Sequence, residues 1–535
     1  METDPTDAKE RPIHMEQLHS QEKPRLDMKD DKPIADERLL NQRRPFTPYL
    51  IAFAGVVGFV PWMVNFDGGF SGVVLAMPSF NNAFGSECKD TPAGRSCMLT
   101  ATEQSLLAIS YLFQAIGGAL AGILGAYVGR RVAINIGCLV VIVGAAVMIG
   151  VDGYAKFLVG KCISGVGLGL LLGVGIVYGT ECIPASQRGS LLSVYNVALA
   201  MGNVVVAAVC VGSSKLAPSD QLQWKTPVIC QFPIAVLLAA SVWFFPESPR
   251  WLLAIKSQPE QARRAFARFY RTDIHSEEVD LQMTQTQLNL QHDLEQKGSA
   301  SWLQIYSGVN FRRTVISGFI LAALAICGIQ FALSYATVFL QDVGISNVFV
   351  VNLILGCCIL AGTMLTPWCL EYLGCRGSFL VGFSVMSLCM LIFAAVASGL
   401  GSNSSVSHTV LVVFLCLWAF TFGAGIGSAV WLASAEMHSV RLRTYGQASS
   451  ATVYQIFGFA ATFWTPYMLQ PQYGNWGTNV GYFYFAVNAV SFVLTFIFVP
   501  ETAKLTLEQI DEYFASGVPA WKTSVRKNKR LAKGE

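Results

Sequence analysis

Twelve times along this chain an apolar run of roughly 20 residues, the length a helix needs to cross hydrocarbon, is closed off by a polar loop. That rhythm constrains the fold more than any other feature. Inside a bilayer each backbone amide must find its partner within the spanning segment, so apolar runs of this length read as helices. With a window of about 19 residues they lie near 46–78, 101–127, 132–151, 155–180, 190–213 and 227–246, then near 313–341, 346–370, 378–399, 409–433, 446–469 and 479–499. Of the 535 residues only 13% are charged, against about 25% in a soluble protein. A soluble globule with so few charges could not cover itself.

The polar segments set the organisation. Residues 1–45 mix both charge signs with few apolar residues and are expected to form a disordered cytosolic tail. Residues 46–249 form a first six-helix bundle and 312–500 a second. Between them 250–311, with helical apolar spacing, is expected to form amphipathic helices on the membrane surface; 501–535 is a second cytosolic tail. Arginine and lysine gather in alternate loops, at Arg130, Arg131, Arg188, Arg250, Arg376 and Arg443, which places those loops and both termini in the cytosol. The sequon at Asn403 then faces outside as a glycosylation candidate. So does the loop ECKDTPAGRSC, whose Cys88 and Cys97 form a disulfide candidate. A net charge of +3 without a basic aromatic patch argues against a nucleic-acid partner. No metal-ligand spacing or nucleophile–base set appears, so no metal, cofactor or enzymatic activity is expected.

Three loop signatures occur twice. GAYVGRR (125–131) is echoed by LEYLGCR (370–376), with Gly129 and Gly374 separated by 245 positions. TECIPASQRG (180–189) is echoed by AEMHSVRLR (435–443), with Glu181 and Glu436 separated by 255. PESPR (246–250) is echoed by PETAK (500–504), with Pro246 and Pro500 separated by 254. A shift this constant indicates duplication of six helices in parallel orientation, an arrangement of transporters that rock two bundles about a midplane site. The charges are expected to latch the cytosolic side when it is shut, Glu247 meeting Arg188 or Arg131, and Glu501 meeting Arg376 or Arg443. The alternative is that they anchor helix ends at headgroups.

PESPRWLL (246–253) and PETAKLTLEQIDEYF (500–514), together with ECIPASQRG and WLASAEMHSVRLR (431–443), resemble the signatures of the sugar porters of the major facilitator superfamily, especially fungal members, over about residues 46–515. The resemblance implies an all-α membrane protein, with twelve helices in two pseudo-symmetric six-helix bundles and a cytosolic helical linker. It also implies a sugar site built mainly from helices seven, ten and eleven. Carried over, the candidate binding residues are Asn196, Gln330, Tyr335, Trp431 and Tyr454. Where the family commonly shows QQLSGIN on helix seven, this chain reads LAICGIQ (324–330), so Leu324 and Ala325 stand in place of paired glutamines. Tyr454 and Gly458 stand where asparagines are common. In the first signature Ala126 replaces the family's aspartate, while its second-half counterpart remains acidic as Glu371.

Asp67, in VNFDGGFSG on the first span, is an intramembrane acid and hence a functional residue by default. Its expected partner is Lys161 on the fourth span, where the family commonly has arginine. The pair is either a proton-coupling site or a static tie between two helices. The motif GVGLGLLLGVG (165–175) follows no strand and reads as close helix packing. Phe331, Tyr335 and Phe339 share one helical face and either line the cavity or pack the helix. The sum is a secondary transporter of a sugar or sugar-like polyol, proton-coupled, monomeric, in contact with lipid, importing across the plasma membrane. A non-hexose cargo (a quinate-type acid or an exported metabolite) and a non-transporting nutrient sensor are the alternatives.

Overall fold

The computed structural model describes residues 47–528 apart from 92–93, 151, 185–186, 298–301, 346, 401–404, 428, 440–441, 504, 506 and 526. The expected tail at 1–45 and the sequon at Asn403 lie outside the described residues. Among the described ones, ten helices are long and apolar enough to cross a membrane. One of these, Val348–Gly399, is two spans merged across Gly374, whose φ of 73° breaks the helical run. The twelfth is the 27-residue helix Arg443–Leu469, which carries Ser449, Ser450, Thr452, Tyr454 and Gln455 and is more polar than the other spans.

We label the spans α1 (Pro48–Ala76), α2 (Ala101–Val128), α3 (Arg130–Gly150), α4 (Tyr154–Cys182), α5 (Ser190–Ser213) and α6 (Leu222–Val242). The second bundle comprises α7 (Gly308–Ser334, continued by Ala336–Asp342), α8 and α9 (residues 348–373 and 375–399), α10 (Val406–Met437), α11 (Arg443–Leu469) and α12 (Gly477–Phe498). This is the major facilitator fold. One end of the bundles carries the duplicated arginine loops and is called the basic end. The other carries a two-stranded antiparallel hairpin, Glu87–Thr91 with Gly94–Met98, and is called the hairpin end.

The duplication is visible in where helices touch. A Cβ added at Gly117 of α2 would stand 2.1 Å from the Val166 carbonyl oxygen of α4, and one at Gly169 would stand 2.0 Å from that of Gln114. In the second bundle, a Cβ added at Gly362 of α8 would run into the Phe420 carbonyl oxygen, and one at Gly423 of α10 into that of Ile359. Gly362 lies 245 positions after Gly117, and Gly423 lies 254 after Gly169, the same offsets the loops show. The glycine run on α4 therefore exists because the α2 and α4 backbones pack without intervening side chains.

Between the bundles run two helices, Pro259–Tyr270 and Glu277–Lys297. They enclose a small apolar core of their own, with Phe266, Val279 and Met283 against Trp251, and Arg263 pairs with Asp280 at 2.6 Å.

Candidate functional site

Helix α7 is interrupted twice. Gly328 takes φ 115°, a left-handed value that glycine adopts without strain, and Tyr335 leaves the helical region at φ −129°. The break frees carbonyls that a continuous helix would have used. Asn488 of α12 satisfies one of them, donating to the Cys327 oxygen at 2.9 Å. Six residues between the breaks form a short helix, Ile329–Ser334, which carries Gln330 at 2% exposure.

Around Gln330 the structure gathers part of the expected binding set. The Tyr111 hydroxyl of α2 donates to Gln330 Oε1 at 2.6 Å. Tyr454 lies within hydrogen-bonding reach of the same amide, and its ring meets that of Trp431 edge to face at 5.3 Å. Tyr335 is buried and donates to the Gln104 carbonyl at 3.3 Å. Asn196 on α5 is half-buried, and no hydrogen bond among those described joins it to this cluster. Leu324 and Ala325 are buried, so Gln330 is the amide in 324–330. Phe331 and Phe339 of α7 pack on one another at 5.6 Å. The sequence reading missed Tyr111 and Asn488, because each acts across a helix interface that no local pattern encodes.

Hydrogen bonds that tie the two bundles together gather toward the hairpin end. Ser105 donates to the Phe463 carbonyl at 2.7 Å, Thr102 meets Tyr467 at 3.2 Å, and Gln472 donates to Glu87 at 3.2 Å. A Cβ on Gly72 of α1 would stand 2.0 Å from the Leu333 carbonyl of α7. The bundles are thus in backbone contact at that end. The hairpin beside it joins Cys88 and Cys97 as a disulfide.

Deeper in the first bundle, Lys161 Nζ lies 2.7 Å from Asp67 Oδ2, and Gln231 of α6 donates to Oδ1 at 3.1 Å. All three side chains are buried, at 2%, 1% and 1% exposure for Asp67, Lys161 and Gln231. An ionised carboxylate in hydrocarbon requires such partners, and Gln231 supplies one that the sequence reading had not assigned.

Over residues 53–514 the chain matches the family described as "Sugar (and other) transporter". The protein belongs to this family. It is therefore a multi-pass membrane carrier and not an enzyme. Among curated relatives, it is 25% identical to a low-affinity glucose transporter of Kluyveromyces lactis over 512 residues, 93% of this chain and 88% of that one. It is 26% identical to a high-affinity fructose transporter of Schizosaccharomyces pombe, covering 90% of each chain. In fold it is similar to the inward-open xylose transporter XylE from E. coli, with a TM-score of 0.70 and 19% identity over 87% of this chain and 99% of that one.

The transporter's basic end holds the predicted gating charges, with a correction to their partners. Among the described contacts Glu247 takes backbone amides rather than the Arg131 guanidinium: its two oxygens accept from Arg130 N–H at 2.9 Å and Arg131 N–H at 3.1 Å. Glu501 likewise accepts the Cys375 amide at 3.1 Å. The reason is the turn before each helix. Gly129 and Gly374 take φ 93° and 73°, which aims the unpaired amides at the start of α3 and α9 toward the carboxylate, where the helix dipole also favours an anion. Arg131 instead lies over Trp243 at 4.4 Å, and Arg376 over Phe496 at 5.2 Å. Arg130 grips Glu181 with two hydrogen bonds of 2.9 Å, a fork geometry that is among the stronger ion pairs. Ser248 donates to Glu181 at 2.6 Å and Thr502 to Glu436 at 2.7 Å. Burial raises the Glu501 carboxyl above its ordinary value, while backbone N–H groups at the start of α9 pull it back. Arg250 and Glu371 are exposed and Arg443 is half-buried. Arg188 opens the helix that contains α5, and its side chain lies outside the described set.

Proposed function

We propose that this transporter imports a sugar or sugar-like polyol across the plasma membrane by alternating access, with Asp67 taking up a proton in each cycle. The observation that carries the reading is the Gln330 cluster at the broken α7, placed beside the contact between the two bundles. A sugar offers hydroxyls, which require polar partners when buried, and an apolar ring face, which suits an aromatic wall. Gln330, Tyr111 and Tyr454 supply the former and Trp431 the latter. The relatives, named as glucose and fructose carriers, favour a sugar over the acid or exported metabolite. With the basic end in the cytosol, as its arginines imply, the contacts at the hairpin end close the outside and the conformation faces inward.

The proton step follows from the buried triad. Lys161 and Gln231 are the polar partners of Asp67 in this conformation; displacing α4 or α6 would take them away, and that is the step at which we place proton uptake. In that orientation the Cys88–Cys97 disulfide faces the outside, and the carrier works as a monomer in lipid contact. The test is uptake of labelled glucose in cells stripped of their own hexose carriers, with and without a proton gradient. Saturable, gradient-dependent accumulation is expected; no uptake by protein present at the surface would overturn the sugar assignment. Asp67→Asn should abolish uphill accumulation while sparing downhill exchange, and unchanged accumulation would refute the coupling.

A further inference from the structure

Tyr111 belongs to the first bundle, yet its hydroxyl is spent on Gln330 of the second. An amide side chain has one acceptor atom and two N–H donors. With Oε1 held by the phenol, the NH2 group turns the other way, toward α11. On that side α11 carries Gly458, where an added Cβ would stand 3.4 Å from Gln330 Nε2 and 3.5 Å from the Tyr111 ring. Among the hydrogen bonds described none takes an N–H of this amide, and Gly458 adds no side chain to compete for it. Because Leu324 and Ala325 are apolar, this one amide must carry recognition that paired glutamines could otherwise share.

We infer that Tyr111 is a specificity-determining residue of the sugar site. It fixes the Gln330 amide with its N–H donors facing the cargo, so the carrier selects a cyclic polyol with an acceptor hydroxyl at the matching ring position. The hydrogen bond spans the two bundles, and the amide is oriented this way when the hairpin end is closed. Recognition and closure thus share one contact. The inference rests on the sugar reading above.

The experiment is uptake of glucose and each of its monodeoxy analogues by wild type, Tyr111→Phe, Gln330→Ala and the double variant, with surface amounts matched. Wild type should discriminate against one analogue by about tenfold, the size of one hydrogen bond inside a buried site. In Tyr111→Phe the KM for glucose should rise by about tenfold with the maximal rate within about twofold, and that discrimination should fall to near unity. Gln330→Ala should lose the same discrimination, and the double variant should lose no more. A Tyr111→Phe carrier with wild-type KM and an unchanged analogue profile would overturn the assignment and leave the sugar reading intact. A wild type that takes up none of these sugars would overturn both. If Tyr111→Phe does not reach the surface, Gln330→Glu decides. Its carboxylate still accepts from Tyr111 but offers no N–H, so the discrimination must vanish there, and its persistence would sink the inference.

Discussion

At the basic end of the first bundle, Gly129 turns the chain, Glu247 covers the start of α3, and Glu181 is gripped by Arg130. At the corresponding point of the second bundle, Gly374 and Glu501 repeat the turn and the cover. The position equivalent to Arg130, however, is Cys375, and Glu436 receives Thr502 where Glu181 receives both Ser248 and Arg130. Residues after Pro519 fill in. Thr523 accepts the Glu501 amide at 2.9 Å, Asn528 donates to the Glu501 carbonyl at 3.0 Å, and Arg376 donates to the Thr523 carbonyl at 3.3 Å. Glu501 is consequently 3% exposed, whereas Glu247 is only half-buried. The duplicated part is the backbone device, a left-handed glycine feeding helix amides to a carboxylate. Among the described residues, the ion pair is an addition seen in one copy, and the other has a cover in its place.

If the backbone device is the conserved core of both copies, the glycines should matter most. Alanine at either position meets a left-handed φ and a carboxylate oxygen, 2.8 Å away at Gly129 and 2.4 Å at Gly374. At Gly374 the Val525 side chain also stands 2.5 Å off. Gly374→Ala should cost about 3 kcal/mol and Gly129→Ala somewhat less, read as loss of melting temperature in detergent. Equal, small effects would show that the two turns relax freely and that the comparison overstates them.

The ion pair separates the copies next. A double-mutant cycle on Arg130→Ala and Glu181→Ala should give a coupling of about 2 kcal/mol, since both side chains are largely sheltered at 15% and 9% exposure and form a bidentate pair. The same cycle on Cys375→Ala and Glu436→Gln should give a coupling near zero. Comparable couplings would mean that Cys375 does more than fill space.

The sequence made much of this legible. Spans, repeat offset and family signatures are one-dimensional patterns, and hydropathy and loop arginines report them directly. Even α11, the most polar of the spans, was legible near 446–469 as an apolar run. What could not be read were the partners. Glu247 stood among arginines, and charge alone suggested guanidinium contacts. The left-handed turn at Gly129 gives it helix amides where Arg131 was one expected partner, and that depends on a backbone angle. Tyr111, Gln231 and Asn488 escaped for a related reason. Each is an ordinary residue on an apolar helix until a neighbouring helix brings Gln330, Asp67 or the Cys327 carbonyl beside it.

The last contrast lies two residues beyond the glutamates Glu181 and Glu436, where the first bundle has Ile183 and the second has His438, both buried. Burial first, then the nearby charges of Arg313 and Arg443, push the imidazole down to about 4. Its ring nitrogen faces Ser450 Oγ at 3.5 Å, and no acid among the described partners stabilises the cation. The fold therefore holds a neutral ring while the unfolded chain binds a proton below about pH 6.5. With more protons on the unfolded state, stability is complete above that value and falls as pH drops toward 4. Between pH 7 and 5.5 the loss attributable to His438 should be about 1 kcal/mol. His438→Ile, which copies the first bundle, should flatten that part of the pH dependence of the melting temperature without touching the rest. A variant that melts with the wild-type pH slope would place the titration elsewhere, and the two bundles would then differ here in shape alone.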